Sequence, residues 1–271
     1  MSKRGKVAFF SIATNGYLDY LIDLQESAER NFSFASSVDW FVMTDDPDAI
    51  LLKSKSFSRI QVKTFRVASM TWPLPTLLRY EMILKLSELF EYEYVAYIDA
   101  DMKIVAEFSE SLLNEIIDPE LISAVNHPGF YRPRGVDLIK FYYFNPIKFF
   151  KDLKTKLVSG GLGSWERDRE STAYVPRYKR KLYLCGGFWL GPSHLIAEMC
   201  ETLSKQINTD IEKGVTAIWH DESHLNHYFS SHSFKLLNPS YCFDPNYKNL
   251  SLLQPIIYAV NKNSDSAWVR V

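Results

Sequence analysis

The 271-residue chain carries 31 Lys and Arg against 32 Asp and Glu, a formal net charge of −1, which argues against nucleic-acid binding through bulk charge. Hydrophobic residues at 46% and aromatics at 15% exclude a disordered chain and leave a globular one, long enough for a substantial core. No run approaches the roughly 18 apolar residues that suggest a membrane span. The basic start "MSKRGKVAFFSIATNG" is followed by no small-residue cleavage site. Cys185, Cys200 and Cys242 are odd in number and widely spaced, which fits a reducing compartment. The expectation is a cytoplasmic protein.

In chain order, "KVAFFSIA" reads as a buried first strand, turned by "TNG". "DYLIDLQESAERNF" has apolar residues at helical spacing. "SVDWFVMT" is a second strand ended by "DDPD", and "RIQVKTFRV" alternates as a third. "PTLLRYEMILKLSELF" predicts one helix with Pro75 near its start. "YEYVAYI" is the next strand. This alternation marks a parallel α/β sheet, in which ligands sit at the carboxyl ends of strands. Further on, "YLCGGFWLG" reads as a glycine-interrupted strand, "SHLIAEMCETLSKQINTDIEK" as a long amphipathic helix and "DESHLNHYFSSH" as a shorter one. No repeat or clean linker appears. The expectation is one domain over 1–271, with a nucleotide-binding half over 1–105 and an acceptor half over 106–271.

An insert over 132–163, "RPRGVDLIKFYYFNPIKFFKDLKTKLVSGG" and its flank, mixes Lys and Arg with Phe and Tyr. It reads as a helical excursion whose aromatics join the core, as a lid, or as a patch for a membrane or an oligomer partner.

Two clusters can carry chemistry. Asp99-Ala100-Asp101 follows a buried strand. On an extended segment alternate residues point the same way, so both carboxylates would converge on one hard cation such as Mn²⁺ or Mg²⁺. Taken alone, two surface acids in a solvated loop is the commoner meaning of Asp-x-Asp. The second cluster, "AIWHDESHLNHYF", sets Asp221 and Glu222 among His220, His224 and His227. His220 and His224 have zinc-hydrolase spacing, but Asp221 stands where that motif needs Glu. The acids also suit the positive end of a helix. No glycine-rich phosphate fingerprint exists, so a diphosphate would need a metal plus cations, with Arg79, Lys262 and Arg270 as candidates.

Together "FVMTDDP", "TWPLPTLLRYEMI", "YVAYIDADM", "NHPGFY", "WERDRESTAYVP", "CGGFWLG", "IWHDESHLNHYF" and "LLNPSYCFDP" resemble, in order, the family 6 glycosyltransferases, relatives of the blood-group A and B transferases and α-1,3-galactosyltransferase. The resemblance implies a GT-A fold, a UDP-sugar donor, Mn²⁺ (with Mg²⁺ as substitute), and retaining transfer of GalNAc or galactose in an α-1,3 linkage. It implies that Asp99 and Asp101 bind the metal, with Ala100 between them beside the donor, and that Arg79 orders the donor. By the same resemblance Ile12, Ala13, Thr14 and Tyr17 hold uracil and ribose, and Lys262 and Arg270 close on the diphosphate from the tail. Glu222, beside Asp221, matches the acid that acts as nucleophile or stabiliser of the oxocarbenium ion. His127, Ser164, Trp219 and Asp244 match positions near a galactose-containing acceptor, plain or fucosylated. Donor choice rests on Cys185, Gly186 and Gly187, where two small residues favour UDP-GalNAc over UDP-galactose; the alternative is that the glycines serve only a backbone bend. With no anchor or stem segment in the sequence and with the long insert, the expectation is a microbial or viral member. The competing classes are a catalytically silent glycan-binding protein and a zinc hydrolase.

Overall fold

The computed structural model describes residues 6–260. Eleven strands occur among them: β1 (Val7–Ala13), β2 (Phe32–Ser33), β3 (Val38–Thr44), β4 (Ile60–Arg66), β5 (Tyr94–Ile98), β6 (Met102–Ile104), β7 (Phe108–Ser109), β8 (Ile122–Asn126), β9 (Leu184–Pro192), β10 (Phe234–Leu237) and β11 (Ile257–Ala259). The α-helices are α1 (Leu18–Asn31), α2 (Pro47–Ser54), α3 (Leu74–Leu77), α4 (Arg79–Leu84), α5 (Glu110–Ile116), α6 (Val136–Phe144), α7 (Pro146–Ser159), α8 (Ser193–Glu212) and α9 (His220–Phe229).

One seven-stranded sheet, ordered β10-β8-β9-β5-β1-β3-β4, takes strands from both halves of the chain. Every residue of β1 is buried, as its unbroken apolar run requires of a strand covered on both faces. Successive side chains feed opposite layers. Phe9 packs with Leu21, Leu24, Trp40 and Phe108 on one face; Phe10 packs with Tyr80, Tyr97, Trp189 and Leu203 on the other. A buried relay ties the middle of the sheet: Trp40 Nε1 donates to Ser11 Oγ, which donates to the Ile98 carbonyl, at 3.1 and 2.8 Å.

The sheet is mixed, because β9 runs antiparallel between β5 and β8 while the other pairings are parallel. This reversal positions the site. It brings the start of β9 beside the carboxyl ends of both neighbours, with Ile98 opposite Phe188 and Asn126 opposite Leu184.

Three local expectations change. The single helix expected over 75–90 is two short helices and a 3-10 turn over Ser87–Glu91, meeting at Leu78 (φ −89°, ψ −1°). Arg79 and Tyr80, directly after this junction, are both buried. The extended geometry expected through Asp101 ends at Ile98, and Met102 N–H closes a turn onto the Asp99 carbonyl at 3.3 Å. The turn aligns β6 to pair antiparallel with β11. Finally, the insert's aromatics do not join the core. No residue of α6 is buried, and only Asp152 and Ser159 of α7 are.

Candidate active site

Asp99, Ala100 and Asp101 occupy the turn after β5, at the carboxyl edge the sheet topology predicts. The Asp99 N–H donates to the Gly187 carbonyl at 2.9 Å, so strand pairing with β9 continues into the acidic turn. The Asp101 carbonyl accepts from Val260 N–H at 2.9 Å, which brings the end of the described chain to the same turn. Lys262 and Arg270 lie outside the described residues.

Arg79 links the two acidic clusters. Its Nη2 lies 3.1 Å from Asp99 Oδ1, and its Nη1 lies 3.1 Å from Asp221 Oδ2 and 3.0 Å from the Gly186 carbonyl. The guanidinium also stacks on Tyr97, with Cζ 4.4 Å from the ring centroid. Tyr97 in turn stacks on Trp189 at 5.0 Å and donates its hydroxyl to Asp99 Oδ1 at 2.5 Å. Burial opposes the charge of Arg79, yet Asp221, Tyr97 and Asp99 hold its pKa well above the ordinary value. A buried cation flanked by two carboxylates is a paired charge, the condition under which burial is tolerated.

Gly186 and Gly187 are the hub between the clusters. Gly186 N–H donates to Glu222 Oε2 at 2.9 Å, while its carbonyl serves Arg79. A Cβ on Gly187 would stand 2.5 Å from Met102 Cε and 3.0 Å from Asp99 Oδ2. A Cβ on Gly186 would meet only ordinary contacts, the nearest being Glu222 Cβ at 3.5 Å. A side chain at 187 would make Met102 and Asp99 give way, whereas a Cβ at 186 would meet only ordinary contacts. Cys185 is half-buried and lies against the buried Cys242.

Burial raises the pKa values of Asp221 and Glu222 to about 7. For Asp221, Arg79 opposes that rise, and the charges of Asp99 and Glu222 add to it. For Glu222, the Gly186 N–H opposes it. His220, immediately before them, sits in the left-handed region (φ 48°), with its ring 4.5 Å from that of Trp72. Strained backbone of this kind gathers at functional sites.

On the other side of Glu222, His127 Nε2 lies 4.0 Å from Oε1. His127 contacts the rings of Phe130, Tyr183 and Tyr247 at 5.0, 5.6 and 6.3 Å. Burial pushes its pKa down to about 4, against the pull of nearby Asp244. His127, Asp244 and Glu222 thus come together. Trp219 is half-exposed just before α9, and Ser164 sits on the loop beside Trp165, whose ring meets Tyr183 at 5.1 Å. Ile12, Ala13 and Thr14 are buried at the carboxyl end of β1, with Tyr17 half-buried one turn later.

Sequence reasoning missed the residues that hold these groups in place. Asn226, one helical turn after Glu222, accepts from Leu184 N–H at 2.7 Å and donates to the Leu184 and Glu222 carbonyls at 2.9 Å. It fixes the register of α9 on β9. Buried Glu166 accepts from Ile218 N–H at 2.7 Å and so pins the approach to Trp219. Asn15 (φ 55°) donates to the Met70 carbonyl and accepts from Ser69, tying the turn after β1 to the segment before α3. Their only sequence signal was position inside or beside the motifs already quoted.

Among the described residues no group of three or more His, Cys, Asp and Glu side chains converges as a metal site. His220 faces Trp72, whereas buried His224 lies 3.6 Å from Asp210, so the zinc-hydrolase pair does not form. Asp99 and Asp101 are hard oxygen donors on one turn, which suits a divalent ion that takes its remaining ligands from a diphosphate and water.

A mixed sheet flanked by helices, with an acidic turn after its central strand, is the fold of a GT-A type glycosyltransferase. The sequence profile of Glycosyltransferase family 6 matches residues 157–271. Histo-blood group ABO system transferase 1 of Rattus norvegicus is 30% identical over 86% of this chain and 59% of its own length. Globoside alpha-1,3-N-acetylgalactosaminyltransferase 1 of Gallus gallus is 26% identical over 86% of this chain and 60% of its own. The O-antigen biosynthesis glycosyltransferase WbnI of Escherichia coli is 26% identical over 89% of both chains. These matches are consistent with a member of glycosyltransferase family 6. It spans about three fifths of the length of the animal relatives.

Proposed function

We propose that the protein is a retaining hexosyltransferase that moves GalNAc, with galactose the alternative, from a UDP-sugar to the 3-hydroxyl of a galactoside, forming an α-1,3 linkage. The observation that carries this reading is the pairing of two acidic clusters across Gly186 and Gly187, joined by the buried Arg79. Breaking the bond between the anomeric carbon and the diphosphate leaves negative charge on one side and positive charge on the sugar. Each needs its own complement. A divalent ion, Mn²⁺ or Mg²⁺, would be held by Asp99 and Asp101 and supply positive charge at the leaving group. Arg79 holds Asp99 and Asp221 in fixed orientation. Glu222, aimed by Gly186 N–H, offers its carboxylate to the developing cation. His127 and Asp244 line the acceptor side next to it. Glycine at 186, where even a Cβ would touch Glu222 and Asp221, keeps the room that supports a donor with a 2-acetamido group.

The test is UDP release from UDP-GalNAc and UDP-galactose with a panel of galactosides, in Mn²⁺ or in EDTA. Metal-dependent release with UDP-GalNAc is expected. Release that survives EDTA would remove the metal role, and donor binding without release would favour a glycan-binding protein. No localisation follows from the fold; no helix among the described residues is long and apolar enough to cross a membrane.

A further inference from the structure

The pair α6–α7 is built inside out. In α7 the residues turned to the protein are polar: Asp152 and Ser159, seven apart and so on one face, are its only buried side chains. The opposite face carries Phe150, Leu153 and Leu157, spaced three and four apart, and two of them are 65% and 64% exposed. Helix α6 adds Ile139, Tyr143 and Phe144, each at least 70% exposed. An ordinary surface helix does the reverse.

Polar contacts hold the pair in this orientation. Arg132 donates to both Asp152 oxygens, Tyr142 donates to Asp152 Oδ2 at 3.0 Å, and Lys148 lies 3.1 Å from Oδ1. At the far end Arg180 donates to the Ser159 carbonyl at 3.0 Å, and Arg167 to Ser159 Oγ at 2.7 Å. The apolar face is thus outward by construction.

We infer that this face docks on an anionic lipid bilayer. From Arg132 to Gly161 the chain has seven Lys and Arg against Asp137 and Asp152, a net charge of +5 in a molecule of net −1. Both acids already have basic partners inside the insert. Exposed aromatic and aliphatic side chains beside lysines are what an interfacial helix presents to headgroups and acyl chains. Charge decides against a second copy: an isologous contact would set two such patches against each other, like charge on like. The positive surface continues from Arg134 and Lys156 into a cleft of about 650 Å³, where Arg180 and Lys181 also contribute.

The insert leaves the body directly after His127–Tyr131 and returns just before Trp165, so its roots are the acceptor side of the site. Docking would bring that side to the lipid surface. Resting on the transferase reading for this step only, the acceptor class that follows is a glycan carried on a membrane lipid.

The test is co-sedimentation of the full chain with vesicles of phosphatidylcholine alone and of phosphatidylcholine with phosphatidylglycerol, without any sugar donor. Binding to the mixed vesicles is expected, weakened by added salt. It should fall about tenfold or more in Phe150→Ser/Leu157→Ser and in Lys151→Glu/Lys154→Glu. These positions are exposed, and unchanged circular dichroism and Tm would show that the variants fold. As a second readout, Phe150→Trp should shift its emission to the blue only with anionic vesicles. No sedimentation and no blue shift would overturn the proposal, as would equal binding to neutral vesicles or indifference to both double variants. A concentration-dependent dimer that Phe150→Ser/Leu157→Ser abolishes would overturn it in favour of a second copy. Because no donor is used, a failure here is separate from a failure of transfer.

Discussion

At the scale of single residues, Glu222 shows how stability and chemistry oppose each other. Its pKa is raised to about 7 by burial, from an unfolded value near 4.5. A raised folded pKa means that the native state binds more protons than the unfolded state between those values. Stability from this group is therefore fully present below about pH 4.5 and is lost as pH rises through about 7. Glu222→Gln should raise the Tm of the ligand-free protein at pH 8, by the equivalent of about 1–3 kcal/mol, with the gain vanishing near pH 4.5. The same variant should lose transfer by about a hundredfold or more. Near-wild-type turnover would take Glu222 out of the mechanism. The two glycines should separate just as sharply. Gly186→Val should lower kcat/KM for UDP-GalNAc more than for UDP-galactose, because it fills space beside Glu222. Gly187→Ala should weaken both donors alike, since its Cβ would displace Met102 and press on Asp99. Equal effects of Gly186→Val on both donors would remove that position from donor choice.

Among elements, the contact that matters most is α9 on β9. Asn226 answers both backbone groups of Leu184, and Glu222 one turn earlier meets Gly186 two residues on. Asn226→Ala should cost about 2–3 kcal/mol, because it leaves buried backbone groups without partners. Transfer should fall more than the lost stability explains. Urea unfolding read beside kcat at a temperature where the variant is folded would check this; a stability loss with unchanged kcat would make Asn226 structural only. The broken helix over α3 and α4 has a similar meaning. At the junction after Leu78, Arg79 meets two carboxylates, and pairing a buried charge outweighs the few tenths of a kcal/mol per residue that an irregular helix gives up.

For the whole molecule, the second half of the chain is held by buried polar links. Buried Asp210 of α8 accepts from Ser171 Oγ at 2.6 Å and Thr172 N–H at 2.8 Å, and lies 3.6 Å from His224 of α9. Burial pushes His224 down to about 4, despite Asp210. A depressed folded pKa on a base means that the unfolded state binds more protons from about pH 6.5 down to about 4. This stability is present above 6.5 and is lost as pH falls through 4. His224→Gln should therefore flatten the decline of Tm between pH 6.5 and 4; an unchanged slope would assign the acid sensitivity elsewhere. Two carboxylates on one turn supply too few ligands alone, so Mn²⁺ should bind weakly to the free protein and at least tenfold tighter with UDP present. Titration calorimetry with and without UDP would check it. Tight Mn²⁺ binding without nucleotide, or coupling unchanged in Asp101→Ala, would refute the assignment.

The sequence alone determined the strands and helices whose apolar runs or periodicity match their burial, β1, β3, α1, α8 and α9 among them, because these patterns are local. It also marked Asp99, Asp101, Asp221 and Glu222, since acids next to apolar runs are visible without coordinates. Tertiary structure decided what those acids face. The antiparallel placement of β9 sets residues 186 and 187 between Asp99 and Glu222, 88 and 36 positions away in the chain, and no local pattern encodes such a meeting. The insert reverses the usual rule. From sequence its apolar residues could serve a core, a lid or a docking patch; Arg132, Arg167 and Arg180 hold its polar side to the body, so hydrogen bonding rather than apolar burial chose which face turns in.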